Sequence, residues 1–121
     1  MEVDVVVGNE SADALDIRLV RARFVEAVSH WRLADAETEA LLGVTLPVGG
    51  DLCHLDLGED AEARMRLAID VAHGLDRIFA EEVLLEWLRD DEDDMLTPLA
   101  FMSRGVTELR AMRAAAAARA S

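Results

Sequence analysis

Cysteine and histidine are the residue types in this chain that could bind a transition metal. Cys53 and His54 are adjacent, and His30 and His73 complete the set of three histidines and one cysteine. A zinc site needs about four ligands at short, defined spacings, and the sequence has no Cys-x-x-Cys or His-x-x-x-His pattern. We therefore predict no metal site. Cys53 is expected to be a small buried hydrophobic residue, and the histidines to make surface or polar contacts.

The acidic run from Asp90 to Asp94 is the second group that could bind a metal, as a calcium loop. The glycine at the sharp turn and the glutamate at the end of such a loop are both missing. A solvated charged loop is the first interpretation, and contact with a partner is the second. The last third of the chain also lacks a nucleophile beside a base and a glycine-rich phosphate loop. We expect no catalytic residue, no cofactor and no enzymatic activity.

The last third of the chain has instead the composition of a protein-binding surface. An apolar segment, Leu84 to Arg89, runs into the acidic run, then into a Thr97-Pro98 turn, and finally into an arginine–alanine tail. A large aromatic side chain (Trp87), a rigid turn and charge blocks of opposite sign are features by which one protein recognises another.

The charge of the chain is negative and unevenly distributed. The net charge is −13, and all 12 basic residues are arginines. Residues 1–102 contain 8 arginines and 24 acidic residues, whereas residues 103–121 contain 4 arginines and 1 acidic residue. Because phosphate contact depends on cationic side chains, we expect no DNA-binding residues and no DNA binding by the isolated chain. The acidity is equally compatible with solubility alone and with faster encounter of a basic partner.

Length and hydropathy predict a single cytoplasmic domain. A chain of 121 residues can bury a core without disulfides or metals, and the lone Cys53 cannot form an internal disulfide. No apolar run approaches the roughly 18 residues of a membrane span, and no signal-peptide pattern is present.

The spacing of apolar residues predicts an all-α fold, a small bundle of about six helices. Asp16 or Asp13 is expected to cap the first helix and Asp35 the second, while Gly43 closes the second. Thr97 and Pro98 are expected to begin the fifth helix. Trp31 is interpreted as a core residue. The predicted helices cover residues 16–31, 35–43, 58–79, 81–89, 98–103 and 106–119.

The chain divides into three regions by pattern. Residues 1–15 are predicted to be a flexible arm or a short strand, residues 16–74 a degenerate helix-turn-helix-like or dimerisation region, and residues 75–121 a protein-binding region. A working helix-turn-helix needs a small residue four places before its turn glycine, where this chain has Glu39. The segment that would become the recognition helix contains Pro47 and Gly49-Gly50, which interrupt helices.

The order Trp87-Leu88, a polar loop, Pro98-Leu99 and then Gly105 resembles the toxin-binding domain of the antitoxin Xre/MbcA/ParS family, and most closely its ParS-type antitoxins. The resemblance covers residues 75–115 and, more loosely, the chain from residue 22. It implies that residues 75–121 are a toxin-binding region. The loop departs from the family pattern because it is acidic and lacks the usual Pro-Asn.

The resemblance implies the antitoxin of a type II toxin–antitoxin module. Its partner would be a RES-domain toxin that consumes NAD or transfers ADP-ribose to a protein, and the antitoxin would block the NAD site. It also implies a homodimer within a toxin–antitoxin hetero-oligomer. A DNA-binding autorepressor and an adaptor unrelated to a toxin remain alternatives. The expected toxin-binding residues are Trp87, Leu88, Arg89, Leu96, Pro98, Leu99, Phe101, Met102, Arg104, Gly105, Leu109, Arg110, Met112, Arg113 and Arg119.

The roles within this set are not equivalent. Trp87 is interpreted as mainly structural, while Leu96, Phe101 and Met102 are either contact residues or a small core. Alanine favours helix but buries little area, so the tail is predicted to have little reason to dock on its own core. One of Arg110, Arg113 and Arg119 is expected to reach the toxin pocket, unless the tail is a frayed, solvated terminus.

Overall fold

The computed structural model describes residues 16–46, 57–90 and 96–120, and these residues form a bundle of six α-helices. The predicted all-α fold is therefore confirmed. The predictions for the arm at residues 1–15, for Asp13 as a cap, for Pro47, Gly49-Gly50, Cys53 and His54, and for residues 91–94 of the acidic run lie outside the described residues. The helices are α1 Ile17–His30, α2 Asp35–Leu42, α3 Glu59–Ile78, α4 Glu81–Leu88, α5 Pro98–Met102 and α6 Val106–Ala120.

The central element is α3, which packs most extensively against α6 and next against α1. Its apolar residues recur at helical spacing and face both neighbours, so that Met65, Ala68 and Val71 are fully buried. On α1, Phe24 and Trp31 are also fully buried, which confirms Trp31 as a core residue. No helix within the described ranges is long and apolar enough to cross a membrane.

The caps of α1 and α5 form as predicted. The Asp16 carboxylate accepts a hydrogen bond from the backbone N–H of Arg18 at 2.8 Å, and the Thr97 hydroxyl accepts one from the N–H of Ala100 at 3.0 Å. Each bond satisfies an N–H group that the first turn of a helix leaves without an intrahelical partner.

The predicted Asp35 cap is wrong, because Asp35 is the first helical residue of α2. Ala34 occupies the cap position, and the carboxylate of Glu37 accepts a hydrogen bond from its N–H at 2.8 Å. At the other end Gly43 closes α2 in the left-handed conformation, with φ of 74°, as its position in the sequence predicts.

The expectation that the alanine-rich tail has little reason to dock is also wrong. In α6, Leu109 is fully buried and Ala116 is 3% exposed. A Cβ atom added to Gly74 of α3 would lie 3.0 Å from the Cβ of Ala116. Small residues on both helices allow the two backbones to approach closely. The van der Waals contacts of this close approach offset the small apolar area that alanine buries.

Candidate protein-binding surface

The residues predicted to bind a toxin lie on α4, α5 and α6, but they are not equally accessible. Leu88, Met102 and Leu109 are fully buried, and Leu99 is 5% exposed. In the folded chain these four side chains pack beneath the surface and are not accessible to a partner. Gly105, between α5 and α6, is buried as well.

Trp87 is partly exposed and stacks on Phe79, with ring centroids 5.1 Å apart and an interplanar angle of 30°. Phe79 ends α3, so the stack fixes α4 to the end of the central helix. This contact agrees with the structural interpretation of Trp87, while one part of the indole remains accessible. Such aromatic pairs contribute about 1 kcal/mol beyond the area they bury.

The residues around α5 form a mixed group. Leu96 is 54% exposed and precedes the Thr97 cap. Pro98 and Phe101 are partly exposed, and Met102 is buried in the main core, not in a separate small one. Leu96 is thus the most accessible apolar side chain of the predicted set.

Arg89 is engaged within the chain. Its Nη1 donates to the carbonyl of Trp31 at 3.3 Å, and its Nη2 donates to the carbonyl of Arg32 at 2.9 Å and to the carboxylate of Glu37 at 3.0 Å. The guanidinium therefore joins the end of α4 to the turn between α1 and α2, where Arg32 has a positive φ of 54°. An arginine with these contacts contributes mainly to the stability of the fold and less to the binding of a partner.

The bond to Arg89 also affects the ionisation of Glu37. The N–H of Ala34, followed by the hydrogen bond and charge of Arg89, lowers the pKa of Glu37 from its usual 4.5, and partial burial opposes the shift.

Arg64 is a second internal arginine, and sequence analysis missed its role. Its Nη1 lies 3.4 Å from the carbonyl oxygens of both Leu41 and Ser103, and its Nε lies 2.9 Å from the Asp60 carboxylate. The side chain thus links the C-terminal ends of α2 and α5 to α3. The Asp60 spacing of four residues is visible in the sequence, but the contacts with distant carbonyl groups leave no local pattern.

The arginines of α6 differ in how they are held. Arg113 donates to Asp70 of α3 at 3.3 Å, and that carboxylate is 12% exposed. Arg110, one turn earlier, is exposed and has no hydrogen bond or ion pair among the described residues. Arg104 and Arg119 are exposed too, and Met112 is partly buried. Arg110 also lines a shallow cavity of about 260 Å³ between α3 and α6.

Glu39, in the region predicted to be helix-turn-helix-like, has a structural role. Its carboxylate accepts a hydrogen bond from the N–H of Leu46 at 2.7 Å, which fixes the chain after Gly43. Among the histidines, Nε2 of His30 lies 3.3 Å from Asp76. Within the described ranges, no three or more histidine, cysteine or acidic side chains come together in a way that could hold a metal ion.

Comparison with known proteins adds no relative: no family model, no curated protein and no solved structure matches this chain.

Proposed function

We propose that this chain is an antitoxin that binds a RES-domain toxin and blocks its NAD site. The toxin would consume NAD or transfer ADP-ribose to a protein, and the chain itself would perform no reaction. The sequence pattern from Trp87 to Gly105, which resembles the toxin-binding domain of the Xre/MbcA/ParS family, supports this assignment.

The observation that carries the proposal is the position of Arg110. It is exposed on a helix that the buried Leu109 fixes in the core, so a partner would meet a guanidinium on a rigid support. Arginine suits this role because its planar group can bind a carboxylate through two hydrogen bonds. Since Arg113 is already bonded to Asp70, Arg110 is the better candidate of the two to contact the toxin.

The exposed side of α6 beyond Arg110 consists largely of alanine and ends at Arg119. A surface without large side chains can approach the wall of a narrow cleft closely. In the proposal, this face occupies space that NAD needs, and Arg110 or Arg119 pairs with acidic residues of the cleft. Inhibition is then steric and electrostatic.

The test first asks whether a RES-domain enzyme is encoded beside this chain, and then measures NAD turnover by that enzyme with increasing amounts of the purified chain. We expect the wild-type chain to abolish turnover near equimolar ratio. Arg110→Glu should weaken inhibition by at least about 30-fold, because a charge reversal at a desolvated contact costs several kcal/mol. If the full chain and the enzyme do not form a complex, the proposal is wrong.

Arg18→Glu is the matched control, since the Arg18 side chain is 89% exposed on α1, in another part of the bundle. It makes the same charge change and should leave inhibition unaltered. Removing α6 altogether is a poor test, because that deletion takes Leu109 and Ala116 out of the core and would lose inhibition by unfolding alone.

A further inference from the structure

We propose that the outer face of α4 binds a partner segment that carries an apolar stripe beside a row of lysine or arginine residues. The inference does not rest on the proposed antitoxin function and concerns a different helix from that of Arg110, although Trp87 also belongs to the predicted toxin-binding set. We call this face the α4 strip, and its residues are Phe79, Glu82, Val83, Glu86, Trp87 and Asp90.

The apolar side of the α4 strip is exposed and rigid. Val83 and Trp87 are separated by one helical turn and so lie on the same face of α4. Val83 is 52% exposed, the second-highest value among the large hydrophobic residues that are exposed in the described ranges. The stack on Phe79 holds the Trp87 indole in place. A partly exposed aromatic ring that is already ordered loses little entropy when a partner covers it.

The acidic side of the α4 strip runs parallel to the apolar side. Glu82 and Glu86 are exposed and one turn apart on the adjacent face of the helix. The N–H of Asp90 donates to the carbonyl of Trp87 at 3.2 Å, so the backbone of this exposed residue is fixed beside the last turn of α4. One edge of the apolar stripe is thus lined by carboxylates.

These carboxylates are not neutralised by Arg89, the arginine closest to Glu86 and Asp90 in the sequence. Arg89 follows directly in the sequence, yet its guanidinium is engaged with the carbonyl groups of Trp31 and Arg32 and with Glu37. Among the described residues, Glu82, Glu86 and Asp90 have no ion pair. Three free carboxylates beside a hydrophobic stripe form a surface that is complementary to a cationic amphipathic segment.

A second copy of the chain does not fit the α4 strip as well. A symmetric contact would place the acidic stripe of one copy near that of the other, and like charges at an interface are unfavourable. The cationic helix of the chain itself, α6, packs on α3 with Leu109 in the core, so it does not offer an apolar stripe beside its arginines to a second copy. The complementary occupant is therefore a basic segment of a different protein.

The test uses a synthetic helical peptide of leucine and lysine with one apolar and one basic face, added to the full 15N-labelled chain. The chain has two tryptophans, so the two indole N–H resonances report separately on Trp87 at the α4 strip and on the buried Trp31. We expect the Trp87 resonance to shift on titration and the Trp31 resonance to stay in place. A peptide of the same pattern with glutamate instead of lysine should not bind.

The decisive pair of variants is Val83→Lys and Leu19→Lys. Leu19 is 40% exposed on α1, so both variants replace an exposed aliphatic side chain by the same cation. Val83→Lys should weaken binding about tenfold or more, as expected for the centre of an interface, whereas Leu19→Lys should change it by less than about twofold. Thermal unfolding of both variants checks that each is folded.

Three results would overturn the inference. The first is no shift of the Trp87 resonance at any peptide concentration, and the second is an equal loss of affinity in both variants, which would indicate general attraction to an acidic chain. The third is equal binding of the glutamate peptide.

Discussion

The helices α2 and α6 both pack on α3 and both contribute to the core, but they differ in length and in how their ends are held. α6 is 15 residues long and contributes Leu109 and Ala116 to the core, with Ala116 close to Gly74. α2 has 8 residues, of which Leu41 and Leu42 are in the core, and both of its ends are also bonded to arginine side chains, one from the residue after α4 and one from α3. A long helix can be held by continuous close packing, whereas a short one depends more on its ends.

The physical reason is that a larger fraction of the backbone groups of a short helix lack an intrahelical hydrogen-bond partner. Every α-helix leaves about four carbonyl groups at its C-terminal end without an intrahelical partner, which is half of the carbonyl groups of α2. Arg64 donates to the carbonyl of Leu41 in this last turn, and its positive charge lies at the negative end of the helix dipole. Polar contacts at the ends therefore matter more for α2 than for α6.

The largest expected effect is loss of packing under α6. Leu109→Ala removes a fully buried side chain and should lower the free energy of unfolding by about 3 kcal/mol, through lost burial and the cavity left behind. Urea denaturation measures the change. Val83→Ala on the exposed face of α4 is the control and should cost less than about 0.5 kcal/mol. A similar small cost for both variants would show that α6 is not held by packing.

The close approach of α3 and α6 gives the second prediction. Gly74→Val would place side-chain atoms against Ala116, whose Cβ lies 3.0 Å from a Cβ added at Gly74. We expect a loss of about 2 kcal/mol from overpacking. Adding Ala116→Gly removes the obstructing methyl group and should recover part of the loss. Strictly additive costs in this double-mutant cycle would contradict a direct contact.

Local patterns predicted the helices and their order well. The periodicity of α1 and α3, the Thr97-Pro98 start of α5 and the burial of Trp31 are all properties of short sequence windows, and the structure has them. The fit of Gly74 against Ala116, by contrast, depends on two segments that are distant in the sequence.

The roles of Arg64 and Arg89 could not be predicted for the same reason. A long side chain that donates to a backbone carbonyl group imposes no requirement on the identity of the residue that carries that carbonyl. Trp31, Arg32, Leu41 and Ser103 all accept from these two arginines, and no pattern of residue types distinguishes them. These contacts also bear on the candidate surface, because an Arg89 side chain that is bonded within the chain is less available to a partner.

The anchoring of α2 gives the third prediction. Arg89→Met keeps part of the aliphatic stem and removes the donors to Trp31, Arg32 and Glu37. Because the site is partly exposed, we expect the free energy of unfolding to fall by only about 1 kcal/mol. Arg18→Met, at a side chain that is 89% exposed, should have no measurable effect. If the two variants melt at the same temperature, the contacts of Arg89 do not stabilise the fold.

The smallest effect concerns the charge of Glu37 and depends on pH. The N–H of Ala34 and then Arg89 lower the pKa of Glu37 below its usual 4.5 in the folded chain, so its ionised form stabilises the fold above that value. This contribution is lost as the pH falls through the lowered pKa. Glu37→Gln should therefore be less stable than the wild type near neutral pH, and the difference should shrink in acid. Glu26→Gln, at an exposed carboxylate, is the control. A Glu37→Gln deficit that is constant from neutral to acidic pH would mean that the charge of Glu37 does not contribute to anchoring α2.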